Sequence, residues 1–342
     1  MYDTIEFDQS RILTTPHPEW REVMRNVADS PGHQSFTHTR VHGPTHVRVS
    51  GKTVGTVSRV YVPSLPALLY GHNARCLKTQ ADLDLALALV DLILDQISRP
   101  LRVPNSVAPP RVFRRVDIAT QLVLPMPRIL EGMQHARQPG ARKDPELYGQ
   151  ETIVFPFTDQ RVSIYSKQSQ LREKERRQGR RLNLPPGPNV ARVEAQLRGD
   201  RLVRWLGDPG SHVVTRLDFD RAYSALRQIM IGVHGRPVSG MNPRSMGDLM
   251  TRLALEAPDI FLWRLSGLSA DHRKKVRAAV RKRTPAHTSS QLDWATLLPE
   301  GGPPEFVDIF LPGARPPCPD LLEHVRARLS QMSPVIASEM TA

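Results

Sequence analysis

The feature that most constrains this chain is an alternation of polar and apolar residues at period two, in three segments far apart in the sequence. In RVFRRVDIATQLVL, Arg115 and Asp117 alternate with Val116 and Ile118. In RVSIYSK, Ser163, Tyr165 and Lys167 fall on one side, and in VARVEAQL Arg192 pairs with Glu194. An extended chain points successive side chains to opposite faces, so each segment reads as a strand with one apolar and one polar face. Apolar faces demand a cover. The three polar faces can be presented to one place.

The remaining elements fit an α+β layer fold, an antiparallel sheet with helices packed on one side, in the order ββ-α-β-α-β-β-(α)-β. From Gln34 to Val62 the chain is β-branched and broken by Gly and Pro, which predicts a meander of two or three strands. The stretch SLPALLYGHNARCLK is rich in turn residues. After it, TQADLDLALALVDLILDQIS places Leu83, Leu87, Val90 and Leu94 at helical spacing, with Thr79 as N-cap and acids in the first turn. PMPRILEGMQHARQ reads as a short helix and PGARKDPELYG as a loop. ETIVFPF and RVSIYSK read as two strands joined by a turn, and QSQLREKERRQGRR as a charged helix or basic arm. Beyond Gly207 the segments DFDRAYSALRQIMIGVH, SMGDLMTRLALE, SADHRKKVRAAVRKR and DLLEHVRARLSQM are helical in pattern. The expected division is therefore a catalytic part over 1–208 and a helical accessory part over 209–342. No internal repeat of fixed period is present.

Charge narrows the partners. The chain of 342 residues carries 47 Lys and Arg against 34 Asp and Glu, a formal net charge of +13, so its field favours polyanions, nucleic acid first. Its two cysteines, Cys76 and Cys318, are far apart, which excludes a disulfide framework and a cysteine-built zinc cluster. The acidic start MYDTIEFDQSRILTTPHPEW lacks the basic flank and apolar run of a signal peptide, and no stretch approaches ~18 continuous apolar residues. The expectation is a cytoplasmic protein with no membrane contact.

A polar strand face is ordinarily a face turned to water, as antiparallel sheets allow. Acids, a tyrosine and a lysine converging on one site also suit a specific chemistry, phosphodiester transfer. A tyrosine hydroxyl can attack a DNA phosphate and form a phosphotyrosine that conserves the bond energy for rejoining. A divalent ion held by carboxylates polarises the phosphoryl oxygen, and oxygen ligands suit Mg²⁺ or Mn²⁺. Tyrosine ionises near pH 10, so a lysine beside it helps.

The segments PALLYGHNARCLKTQADLDLAL, RRVDIATQL, ETIVFPFTDQRVSIYSKQSQLRE and VARVEAQLRGDRLVRWLG occur in an order and at spacings similar to those of the gene II protein family, the rolling-circle replication initiators of filamentous phages. The resemblance covers roughly residues 63 to 207. It implies a site-specific endonuclease that nicks double-stranded origin DNA and later rejoins the displaced single strand, with a host helicase and polymerase as partners. On this resemblance Tyr165 falls on the nicking tyrosine and Lys167 on its partner lysine. Asp117 and Glu194 match acids of the Arg-x-Asp and Arg-x-Glu strands and are the expected metal carboxylates, with Glu151 a third candidate. Arg115 and Arg192 are DNA-contact candidates, as are His72 and Asn73 of the Gly-His-Asn turn.

Many rolling-circle initiators carry a His-hydrophobic-His metal motif, and this sequence has none. His38, His42 and His46 recur every fourth residue, but Gly43 and Pro44 oppose a helix that would align them, so they read as surface strand and turn. Two basic runs are candidate phosphate grips: Arg172, Arg176, Arg177, Arg180 and Arg181 after the tyrosine, and Lys274, Arg277 and Arg281 in the helical part. Two other readings stay open on these residues, a non-catalytic DNA- or RNA-binding regulator and a tyrosine transposase of a mobile element.

Overall fold

The computed structural model describes residues 1–13, 20–26, 35–42, 45–52, 57–100, 110–133, 146–148, 151–156, 158–178, 189–233, 269, 271–276, 292–302, 309 and 319–332. Its strands are β1 (Tyr2–Leu13), β2 (Arg21–Asn26), β3 (Ser35–His42), β4 (Thr45–Lys52), β5 (Val57–Val62), β6 (Ser98–Pro100), β7 (Val112–Val123), β8 (Glu146–Tyr148), β9 (Thr152–Pro156), β10 (Gln160–Ser166) and β11 (Val190–Arg198). Its helices are α1 (Leu65–Tyr70), α2 (Gln80–Asp95), α3 (Met126–Met133), α4 (Lys167–Gln178), α5 (Gly199–Leu206), α6 (Phe219–Val233), α7 (Trp294–Leu297) and α8 (Pro319–Met332). Residues 271–276 are also helical.

The strands form one open antiparallel sheet in the order β2-β3-β4-β5-β1-β7-β11-β10-β9-β8, with β6 pairing β1 off this path. The expected meander is β3-β4-β5. The N-terminal segment, given no element in the sequence reading, is β1, a central strand between β5 and β7. Its signal is present in TIEFD, where Ile5 and Phe7 alternate with Thr4, Glu6 and Asp8. Further elements have no counterpart in the sequence reading: β2, β6 and α7 are given none, and β8 replaces part of the loop expected over PGARKDPELYG, where Glu146–Tyr148 pairs with β9. Ser64, whose hydroxyl accepts from the Ala67 amide, caps α1 within the stretch read as turns, and α5 follows β11 directly.

Cross-strand partners share a face. Ile5 opposes Val62 and Val116, Phe7 opposes Val60 and Phe113, Val193 opposes Ile164, and Ala195 opposes Val162 and Ile118. These side chains are buried in one continuous core with Leu83, Val90 and Ile93 of α2, Leu202 and Leu206 of α5, and Leu226, Ile229 and Met230 of α6. Each such aliphatic burial is worth about 1.5–3 kcal/mol, so this apolar face holds the fold. Trp294 of α7 and Leu322 and Val325 of α8 belong to the same core. Residues on both sides of the expected boundary at 208 thus share one core among the described residues. The segment SMGDLMTRLALE lies outside them.

Local signals explain α2. The Thr79 hydroxyl accepts from the Asp82 amide at 3.1 Å while the Asp82 carboxylate accepts from the Thr79 amide at 3.2 Å, a reciprocal capping box. At the far end Asp95 pairs with Arg11, whose Nε donates to Ser98 at 2.7 Å, tying the helix to β1.

The histidines depart from expectation. His38 and His42 are 7% and 3% exposed, because alternation in β3 turns them to the same side as Val49. Among the described residues, no helix is long and apolar enough to cross a membrane.

Candidate functional site

Arg192 of β11 lies opposite Gln121 of β7 and Tyr165 of β10, and Glu194 lies opposite Ala119 and Ser163. Gln196 opposes Asp117. Antiparallel register therefore stacks Gln121, Arg192 and Tyr165 in one row, Glu194 and Ser163 in the next, and Asp117 in a third, all on the face opposite the apolar core. The convergence expected from alternation in these strands is what the sheet provides. Asp3 joins from β1.

This end of the polar face is closed over. Leu171 of α4, Ala74, Val190 and Ile309 form a small second core, and Val190 shares a face with Arg192 by alternation. The turn after α1 contributes Ala74, whose carbonyl accepts from Gln121 Nε2 at 3.0 Å, and Cys76, whose sulfur accepts from Arg192 Nη1 at 3.6 Å.

At the edge of this enclosure the Tyr165 hydroxyl donates to Glu194 Oε2 at 3.1 Å. Arg192, with no exposed surface, sets Nη2 2.8 Å from Asp3 Oδ2 and Nε 3.6 Å from Glu194 Oε2. Its Nε and Nη2 are close in charge but without aligned hydrogen bonds. Asp3 also accepts from the Ser64 hydroxyl at 2.9 Å. Lys167 is fully buried, donates to Gln170 Oε1 at 2.7 Å, and holds its ammonium 5.8 Å from the Tyr165 ring centroid. The reading of Lys167 as a strand residue is corrected: β10 ends at Ser166 and Lys167 opens α4, still beside the tyrosine. Asp117, 1% exposed, accepts from Arg115 Nε at 2.9 Å.

Burial sets the ionisation of this group. It pushes the Glu194 carboxyl up to about 7, helped by repulsion from Asp3 and Asp117 and opposed by Arg192. Burial likewise raises Asp117 despite Arg115. Burial, then the Arg192 charge, brings Lys167 down to about 7. Burial, then the Glu194 charge, holds the Tyr165 phenol well above its ordinary value.

The other expected site residues are distributed as follows. Arg192 is enclosed and engaged with Asp3, so in this arrangement it is a structural cation, not an exposed DNA contact. His72 is buried, and its Nδ1 accepts from the Ala74 amide at 3.1 Å, shaping the turn; Gly71 at φ 74 caps α1, and Asn73 is half-buried beside it. Glu151 is exposed, accepts from Ser169 Oγ at 2.6 Å, and forms no three-ligand group with Asp117 and Glu194. Among the described residues no cluster of three or more His, Cys, Asp or Glu could hold a metal. Arg172, Arg176 and Arg177 are exposed on α4, the latter two paired with Glu173. Lys274 is exposed in the helical residues 271–276, and Arg180, Arg181, Arg277 and Arg281 lie outside the described residues. Sequence reasoning missed Asp3, since its strand was unread.

Against known proteins, no family model matches the chain and no curated protein is significantly similar to it.

Proposed function

We propose that this chain is a site-specific DNA-nicking and strand-joining enzyme of rolling-circle replication, with Tyr165 as nucleophile. The observation that carries the proposal is the Tyr165 hydroxyl, half-buried and held 3.1 Å from the half-buried Glu194 at the edge of a cluster of buried charges where a solvated strand face would be expected. Burying Asp3, Asp117, Lys167 and Arg192 together is costly, and functional sites are where such groups and such shifted ionisation concentrate.

In the proposed reaction Tyr165 Oη attacks the phosphorus of one strand, the bond to the 3′ oxygen breaks, and the 5′ phosphate becomes esterified to the tyrosine. The freed 3′ hydroxyl primes synthesis; after one round, cleavage of the regenerated origin by water frees the displaced strand's own 3′ hydroxyl, which attacks the phosphotyrosine phosphorus, expels the Tyr165 phenolate and closes the strand. Glu194 Oε2 orients the phenol and is the nearest acceptor for its proton. Lys167 sets positive charge beside the ring as the phenolate develops. A Mg²⁺ or Mn²⁺ ion belongs to the proposal. Asp117 and Glu194, one row apart on adjacent strands, are the carboxylates that would hold it, Asp117 once Arg115 gives up the two oxygens it now engages, with water and phosphate completing the shell. When bound, it would polarise the phosphoryl oxygen. Origin duplex, the displaced single strand and a host helicase and polymerase are the proposed partners, and the bacterial cytoplasm the proposed location.

The test is to incubate the protein with supercoiled origin DNA and Mg²⁺ or Mn²⁺, then assay for open circles and a protein-linked 5′ end. Tyr165→Phe abolishes both while DNA binding persists. A Phe variant that nicks as well as the parent removes Tyr165 as nucleophile.

A further inference from the structure

The polar face continues well beyond the enclosed cluster, and its open part has a composition of its own. Arg21 of β2 opposes Thr39 of β3, which opposes Arg48 of β4, which opposes Tyr61 of β5. Tyr61 opposes Glu6 of β1, Glu6 opposes Arg115 of β7, and Arg115 opposes Arg198 of β11. One transverse row thus crosses seven strands on a single face. At ~4.8 Å per strand its six steps span about 29 Å.

The acids on this surface are already engaged. Asp8 takes Arg59 at 3.0 Å and Arg114 at 2.7 Å, Glu6 lies 3.5 Å from Arg59, and Asp117 takes Arg115 at 2.9 Å. Arg21, Arg48, Arg198 and, in the next row, Arg161 are exposed and have no carboxylate partner among the described residues. Mid-row stands Tyr61, half-buried, with the Arg48 and Arg115 guanidinium carbons 5.8 and 5.9 Å from its ring centroid.

We infer that this row is a docking track for single-stranded DNA, with phosphates on Arg21, Arg48 and Arg198 and a base stacked at Tyr61. The inference rests on the nickase reading only for the choice of DNA; the chemistry is that of unpaired guanidiniums in a line interrupted by one aromatic. A duplex keeps its base faces stacked inside and has no use for Tyr61. A single strand offers both a phosphate chain and free π-faces, and base-on-aromatic stacking tolerates any sequence. The row lies three side-chain rows, roughly 20 Å along the strands, from the row of Tyr165, so it would hold nucleotides flanking a cleaved phosphate and not the phosphate itself.

The test is fluorescence anisotropy with labelled oligo(dT) of about 16 nucleotides and, in parallel, its duplex with oligo(dA), in EDTA at low salt, so that neither nicking nor origin sequence enters. Tyr61→Ala weakens single-strand binding roughly 5- to 100-fold, as loss of one stacked base implies, while Tyr61→Phe stays within about twofold of the parent. Removing two phosphate contacts with Arg48→Ala/Arg198→Ala lowers the slope of log affinity on log salt by about 1.4. Unchanged affinity in Tyr61→Ala, an equal loss in Tyr61→Phe, an unchanged salt slope, or a duplex that binds as well as the single strand overturns the track. Circular dichroism and unfolding midpoints identify any variant that has lost its fold, and Tyr61→Phe with the arginine pair then decides. An inactive Tyr165→Phe that still binds oligo(dT) through Tyr61 leaves both proposals standing. An active one sinks the nucleophile and leaves the track.

Discussion

Arg192→Met removes the fully buried guanidinium paired with Asp3. In the parent, Arg192 has no exposed surface and lies 2.8 Å from Asp3, whose side chain is 8% exposed, so both charges are out of water and compensate one another. Met fills most of the arginine volume, so little of the effect comes from a cavity. It leaves Asp3 with the Ser64 hydroxyl at 2.9 Å and no cation 2.8 Å away, while Asp117 keeps Arg115 and Glu194 keeps the Lys167 charge. Breaking one side of a buried pair costs about 3–5 kcal/mol, and that is the expected loss in unfolding free energy. Asp3→Asn in the same chain removes the stranded charge, so the double variant regains more than half of the loss, with a coupling of about 1–3 kcal/mol. Urea unfolding followed by circular dichroism and tryptophan fluorescence reads all four corners of the cycle. A single-variant loss below about 1 kcal/mol, or two losses that add within ~0.5 kcal/mol, would refute the pairing of Asp3 with Arg192 as the electrostatic centre of the site.

Burial and the nearby Arg40 guanidinium bring His42 down to about 4, below the ordinary 6.5. The unfolded chain then takes up a proton below about 6.5 that the folded chain refuses until about 4, so stability falls as pH drops through that window. His42→Phe shrinks the decline between pH 6.5 and 4 by about 1–3 kcal/mol in urea titrations, and an unchanged decline removes His42 as its source. At the end of α5, the Gly207 amide donates to the Val203 carbonyl at 2.8 Å, and a Cβ at Gly207 would meet that oxygen at 2.4 Å. Gly207→Ala therefore lowers the unfolding midpoint by the equivalent of about 1–3 kcal/mol; a neutral effect would mean that the helix end shifts freely.

Much of this architecture is legible in the residues alone. Period-two alternation identifies β7, β10 and β11 and the side chains they share, because alternation is a local consequence of extended backbone. Thr79 and the spacing of Leu83, Val90 and Leu94 identify α2 for the same reason, since cap and period are local. Other features depend on partners remote in sequence. The TIEFD pattern is short and lies in a segment rich in charge, and only pairing with β5 and β7 makes β1 a central strand and brings Asp3 to Arg192. Lys167 continues the strand pattern in sequence, but the chain turns into α4 there, so its ammonium reaches Tyr165 from a helix start. Arg192 reads as a DNA contact because arginine on a polar strand ordinarily meets solvent; the turn from Gly71 to Cys76 and the packing of Leu171 against Val190 enclose it. The sequence by itself determined which residues share a face, since that follows from backbone geometry. Only the tertiary structure decided which part of that face is covered and charged beside Tyr165, with Arg192 and Lys167 fully buried, and which stays open and basic around Tyr61, since burial depends on what distant segments pack above it.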